Sequence, residues 1–148
     1  MTRVLQGRCV VAGAAAGRAL VSAQAISLWG GLDPRTGRII DRRHDRTGQL
    51  VTGRVFVFPR GKGSSTGSAV LLEAIRAGTA PAAIVNLATD PIAALGAIVA
   101  DELYGRTVPI VVLTEPDFAS IREGDLLAIE PDGTVRVEPG EEGEPCSS

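Results

Sequence analysis

Apolar positions follow one rhythm in the first 58 residues and another after them. In the first part they come in short runs broken by Gly, Pro or charged residues, the pattern of short β-strands. Val4 to Ala12 and Arg18 to Ser22 read as strands, with Gly13 to Gly17 between them as a tight turn or a place of close backbone packing. The run Val55-Phe56-Val57-Phe58 ends a further strand that starts at Arg54.

From residue 69 onward the rhythm predicts helix and strand in alternation. A helix runs to Ala77 with Thr66 or Ser68 as its cap and Gly78 suited to the left-handed position past its end. Ala82 to Leu87 is a continuous apolar run of strand length. Thr89 or Asp90 then caps a second helix, with Pro91 at its first position, that extends from about Ile92 to Tyr104. Residues 92–100 are apolar on every side, so this helix should be sandwiched in the core or covered by a partner. Val108 to Leu113 repeats the buried-strand pattern, as in a parallel β-α-β unit. A helical turn over Pro116 to Ile121 precedes strands Leu126 to Glu130 and Thr134 to Glu138, joined by the turn signal Asp132-Gly133. The expected organisation is one α/β domain over residues 1–138, followed by a disordered tail over 139–148, rich in Gly, Glu, Pro and Ser.

Two stretches between strands carry candidate chemistry. Ala25 to Gly31 holds the only tryptophan, and Gly30-Gly31 behind Trp29 could be backbone facing a ligand, although a Trp beside a turn is more commonly buried. Asp41 to Arg46 is the most charged stretch and holds the sole histidine, His44, which reads on pattern alone as a surface residue of a solvated loop.

The third stretch, Pro59 to Ser68 (PRGKGSSTGS), is a strand-to-helix loop. Gly61, Gly63 and Gly67 permit positive φ and close approach to the backbone, and Ser64, Ser65, Thr66 and Ser68 supply hydroxyls. Free N–H groups beside a helix N-terminus suit an anion such as a carboxylate or phosphate. Two nucleotide motifs fail: Gly61-Lys62-Gly63 opens the loop instead of closing it with Gly-Lys-Ser/Thr, and three residues separate Gly63 from Gly67.

Composition narrows the classes. With 148 residues and 45% hydrophobic positions the chain can bury a real core, built from Val, Ile, Leu and Ala. The formal net charge of −2 gives no electrostatic case for nucleic acid, and no apolar run reaches membrane-spanning length. The first residues lack the pattern of a secretory signal, so a cytoplasmic location is expected. Cys9 and Cys146 have no metal-ligand spacing; Cys9 is expected in the core and Cys146 in the tail, and no metal site is expected in this chain.

Taken together, Ile26 to Asp33, Gly37 with Ile39-Ile40-Asp41 and His44, Gly48, Gly53-Arg54-Val55 and Gly61 to Ser68 resemble the small subunit of the aconitase X family. Gly78 to Ala83, Gly96 to Val99 and Val108-Pro109 extend the resemblance over Leu5 to Val137. It implies a swivelling β/β/α domain, similar to the mobile domain of aconitase, that closes over a large catalytic subunit whose cysteines bind an iron–sulfur cluster. It also implies dehydration of a 3-hydroxy carboxylate, either cis-3-hydroxy-L-proline or mevalonate 5-phosphate. Swivelling β/β/α folds also serve as noncatalytic interaction or carrier domains.

Within the resemblance Ser64 matches the serine that acts as base in the Gly-Ser-Ser loop of aconitase-like enzymes, although spacing does not separate it from Ser65. Gly63, Ser65, Thr66 and Gly67 would bind substrate, while Trp29, Gly30 and His44 would shape or line the site. The aconitase loop continues with an arginine where this chain has Thr66, so that substrate-binding role has no counterpart here.

Overall fold

The structure is a computed structural model that describes residues 2–140. In chain order its elements are β1 (Arg3–Gln6), β2 (Arg8–Val11), β3 (Ala15–Val21), α1 (Leu28–Gly31), β4 (Leu32–Asp33), β5 (Arg38–Ile39) and β6 (Val55–Val57). There follow α2 (Gly67–Ala77), β7 (Ala83–Asn86), α3 (Pro91–Tyr104), β8 (Ile110–Val112), α4 (Glu115–Ala119), β9 (Leu126–Ile129) and β10 (Thr134–Glu138).

Eight strands form one sheet in the order β1-β10-β9-β3-β6-β7-β8-β2. Its two outer strands are neighbours in the chain, joined at Gly7, so the sheet curls almost into a barrel. The predicted single strand from Val4 to Ala12 is thus two strands. At Gly7 the backbone leaves β10 for β8, and a Cβ there would lie 2.1 Å from Val111 Cγ1, so only glycine passes. The predicted turn over Gly13 to Gly17 is largely strand: β3 pairs antiparallel with β9 through Ala15 to Arg18, then parallel with β6 through Ala19 to Val21.

Strands β6, β7 and β8, with Ala19 and Leu20 of β3, are covered on both faces, which is why β6 to β8 read as unbroken apolar runs. Val55, Val57, Ala83, Val85 and Val111 point into the barrel against Leu127, Ile129, Val135 and Val137. Leu20, Phe56, Phe58, Ile84 and Ile110 point the other way, against Leu71 and Ile75 of α2 and the alanines of α3. The result is the β/β/α arrangement expected from the sequence.

Of the two places expected for helix α3, inside the core or under a partner, the first holds on one face only. Its small residues Ala93, Ala94, Gly96, Ala97 and Ala100 face inward, while Leu95 and Ile98 stand outward, 54% and 50% exposed. The chain's own core therefore does not sandwich it. Gly96 lets α3 approach α2 closely: a Cβ there would lie 2.6 Å from the Ser68 carbonyl oxygen and 3.2 Å from Leu71 Cβ.

Cys9, expected in the core, is exposed on β2, where the register shift next to it turns its side chain outward. Of the expected tail, Gly140 packs on Gly124 and its N–H donates to Asp125 Oδ1 at 3.3 Å, whereas residues 141–148, Cys146 included, lie outside the described residues.

The close α2–α3 contact generates a test. Gly96→Val should lower unfolding stability by about 1–3 kcal/mol, because the obstacle is backbone and cannot rotate away. Urea denaturation of the two proteins measures it, and an unchanged midpoint would contradict the packing described.

Candidate active site

The Pro59–Ser68 loop leaves the C-terminal end of β6, at the edge where the parallel strands β3 and β7 also end. Two neighbouring segments hold it. Lys62 N–H donates to the Ile26 carbonyl at 3.0 Å and Ile26 N–H to the Arg60 carbonyl at 3.3 Å, a two-bond clamp. On the other side Leu87 and Ala88 N–H groups both donate to the Pro59 carbonyl, at 2.9 and 3.1 Å.

The loop glycines are where other atoms come closest. A Cβ at Gly61 would lie 2.1 Å from an Asp90 carboxylate oxygen, and one at Gly63 would lie 2.5 Å from Ser27 Oγ. Gly63 also has φ +87, a region L side chains avoid. Gly67 faces Ile92, Leu28 and the Trp29 nitrogen. Hence the segment from Ser27 to Trp29, the loop and the start of α3 form one packed unit.

Neither hydroxyl expected to cap α2 does so. Thr66 occupies the cap position with no side-chain bond, and Ser68 Oγ instead donates to the Ile92 carbonyl at 2.7 Å, tying α2 to α3. The first turn is bonded by Ser64: its Oγ accepts from Thr66 N–H and its carbonyl from Gly67 N–H, both at 3.0 Å. The Ser64 hydroxyl therefore sits on the positive end of an 11-residue helix. The Gly63, Ser64 and Ser65 N–H groups have no acceptor among the described residues, and residues 63–66 are exposed. These three donors, a hydroxyl and the exposed cations Arg60 and Lys62 make a surface that can hold a carboxylate and receive a proton.

Trp29, for which burial beside a turn is the common case, is 57% exposed, and Gly30 behind it has φ +82 with no atom within 4 Å of a would-be Cβ. Both belong to the loop unit. Ser27 fixes them, its Oγ donating to the Trp29 carbonyl at 3.0 Å.

His44 is not the surface residue its charged neighbours suggest; it is only 4% exposed. Nδ1 accepts from Arg46 N–H at 3.1 Å, so Nε2 carries the proton and donates to Ser22 Oγ, also 3.1 Å away. That hydroxyl accepts from Gln24 N–H at 3.0 Å and donates to Asp45 Oδ1 at 2.7 Å. Both ring nitrogens are thus committed within the segment, and no hydrogen bond joins His44 to the Ser64 loop. Burial opposes ionisation of Asp45, but the bonds from Ser22 and Ala23, with His44 and Arg46 nearby, hold its carboxyl below the ordinary carboxylate value. Ser22 N–H donates to the Val57 carbonyl at 2.8 Å, which places this cluster on the same sheet edge as the loop.

The structure adds residues that spacing does not reveal. Ser22 bonds His44 from 22 positions away, and Ser27 and Asp90 pack against Gly63 and Gly61 from 36 and 29 positions away; no local motif marks them. Among the described residues no group of three or more His, Cys, Asp or Glu side chains converges. The cavity of about 400 Å³ lined by Arg3, Ala119, Ser120, Arg122 and Asp125 shares no residue with the loop, so volume alone does not point to the chemistry. No helix of the described residues is long and apolar enough to cross a membrane.

Comparison with known proteins agrees with the geometry. The family described as aconitase X swivel domain matches residues 4–137. The Pseudomonas aeruginosa protein named cis-3-hydroxy-L-proline dehydratase is 52% identical over 108 residues, which are 73% of this chain and only 19% of that protein. The chain therefore spans about a fifth of that relative's length. The phosphomevalonate dehydratase small subunit of Methanosarcina acetivorans is 39% identical over 126 residues, 84% of this chain and 83% of that one. Among solved structures, the holo-form of Thermococcus kodakaraensis aconitase X superposes with a TM-score of 0.82 at 36% identity, covering 91% of this chain and 98% of that chain.

The Asp45 cluster has a pH signature. Asp45 binds protons less readily folded than unfolded, so its stabilising share is complete above the unfolded value and is lost as pH falls below about 4. Asp45→Asn should be less stable than the native chain at pH 7, and the gap should narrow as pH falls below about 4. Thermal melts across that range check it; a gap independent of pH would refute the ionised role.

Proposed function

The chain belongs to the aconitase X swivel-domain family, and on that premise we propose that it is the small subunit of a hydro-lyase that dehydrates a 3-hydroxy carboxylate. Its partner in this reading is a large catalytic subunit that binds the iron–sulfur cluster, and the complex works in the cytoplasm. The observation that carries the proposal is Ser64 Oγ on the N-terminus of α2, beside three N–H groups with no acceptor among the described residues, in a chain of this family.

Elimination of water needs the α carbon to lose its proton and the 3-hydroxyl to leave. Ser64 is the group we assign to the first step: the α C–H bond breaks, its proton goes to the Ser64 Oγ alkoxide, which becomes the hydroxyl, and the electron pair left on the α carbon becomes the π bond to the β carbon as the C–O bond there breaks and the 3-hydroxyl leaves. A serine hydroxyl is too weak an acid to ionise unaided at neutral pH, so its alkoxide needs stabilisation in place. Thr66 N–H and the α2 terminus supply this at the oxygen, with Arg60 or Lys62 as the nearby cation. Charge that builds on the substrate carboxylate would be met by the Gly63, Ser64 and Ser65 N–H groups and the exposed Thr66 hydroxyl, while Gly67, buried with its N–H on the Ser64 carbonyl, would shape the cradle from beneath. Trp29 and Gly30 would form a wall of the site, and His44 would hold the segment beside it. The cluster, when bound by the large subunit, supplies Lewis acidity for the departing hydroxyl.

For the substrate we favour cis-3-hydroxy-L-proline, converted to pyrroline-2-carboxylate. The higher identity to the Pseudomonas aeruginosa protein, 52% against 39%, supports this. Mevalonate 5-phosphate is the second reading, supported by the near-equal length of the Methanosarcina acetivorans small subunit.

Two experiments follow from the assignment. The isolated chain should fold yet turn over neither substrate, whereas co-purification with the large subunit should give activity; turnover by the chain alone would defeat the subunit reading. In the reconstituted complex Ser64→Ala should cut kcat by about 10²–10⁴-fold with KM little changed, and Ser65→Ala should cut it less. Exchange of the substrate α proton with solvent deuterium identifies the base. Persistence in Ser64→Ala with loss in Ser65→Ala would move the base to Ser65, and persistence in both would move it to the large subunit.

A further inference from the structure

Helix α3 is inverted relative to an ordinary surface helix. Large apolar side chains gain most from burial, yet here Ala93, Ala94, Gly96, Ala97 and Ala100 face inward and Leu95 and Ile98 face out, each at least half exposed. Pro91, Leu95 and Ile98 recur at helical spacing on one line, which makes an apolar stripe about 10 Å long. The small inward residues are explained by the close approach to α2. The outward ones are not explained by anything among the described residues.

The position of the stripe narrows its occupant. It begins where Asp90 lies under Gly61 and Ile92 lies against Gly67, so it is continuous with the Ser64 loop and with exposed Trp29. A body that covers the loop reaches the stripe as well. The Pseudomonas aeruginosa relative carries the matched stretch as 19% of a longer protein, so a module like this one exists alongside a much larger remainder. A second copy of this chain seated on the stripe would instead crowd the loop that must reach a catalytic partner.

We propose that the outward stripe of α3, Pro91 with Leu95 and Ile98, is a docking surface on which the large catalytic subunit lays an apolar strip beside the Ser64 loop. The proposal rests on the small-subunit reading given above. It makes α3 an anchor and leaves the polar loop free to meet substrate, a division of labour between apolar contact for affinity and polar groups for chemistry.

The test uses the full chain and a large aconitase X subunit from the same genome, with affinity measured by calorimetry and assembly by light scattering. Leu95→Glu/Ile98→Glu should weaken binding by about 100-fold or more, and Leu95→Ala/Ile98→Ala by about 10-fold. Val4→Glu, at an equally exposed apolar position on β1, should bind within about twofold of native. Thermal melts show whether each variant is folded, and if the glutamate pair is not, the alanine pair decides. Failure of the native chain to bind the large subunit would defeat the small-subunit reading itself. Native binding that both variants retain would overturn the docking proposal alone. A homodimer of the native chain that the variants dissociate, with the mixed complex intact, would also overturn it, by giving the stripe to a second copy.

Discussion

The close approach of backbone to side chain under the Ser64 loop is the constraint on which the site depends. Asp90 lies where a side chain at Gly61 would be, Ser27 does the same at Gly63, and Ile92 crowds Gly67. The contacts come from two other parts of the chain, Ser27 before the loop and the start of α3 after it, so the loop is positioned by its neighbours as well as by its own hydrogen bonds. The Ser64 hydroxyl inherits its place from that packing. It also inherits its electrostatics, because the same contacts hold the loop on the end of α2.

The supports are themselves tied to the sheet edge. Asp90 gives one oxygen to the Ile92 and Ala93 N–H groups at 3.1 and 3.2 Å, capping α3, while the carboxylate rests against Gly61. Ser22, His44 and Asp45 do comparable work further along, where β3 ends beside β6. A site whose donors are main-chain groups needs this, since a backbone N–H can be aimed only by fixing the backbone. The polar cluster around His44 is accordingly saturated, with no ring nitrogen left to offer.

Much of the fold was legible in the sequence because local chemistry and tertiary demand coincide there. Asp90-Pro91 starts α3, Gly78 ends α2 at φ +82, Asp132-Gly133 turns β9 into β10, and the apolar runs of β6, β7 and β8 are buried on both faces. The loop around Ser64 was legible for the same reason, as a glycine and hydroxyl cluster between a strand and a helix. Where partners are remote, the pattern misled. His44 sits among charges yet is buried through Ser22, 22 residues away, and Ser64 does the bonding expected of Thr66 or Ser68. Gly7 gave no sign that it divides one apolar run between opposite ends of a sheet. The uniform apolarity of α3 could not show that its small residues face in and its large ones out, since that depends on how near α2 comes.

Gly7 also sets the order in which the fold can be completed. It sends β1 to pair with Thr134 to Glu138, so the first strand of the chain waits for the last. On a ribosome the parallel strands and their helices can assemble while the C-terminal hairpin is still being made, but β1 stays unpaired until residue 138 has emerged. Closing so long a loop is slow, and an unpaired strand edge is open to wrong partners in the meantime. The barrel that supports the site therefore closes only when residues 134–138 are available to β1.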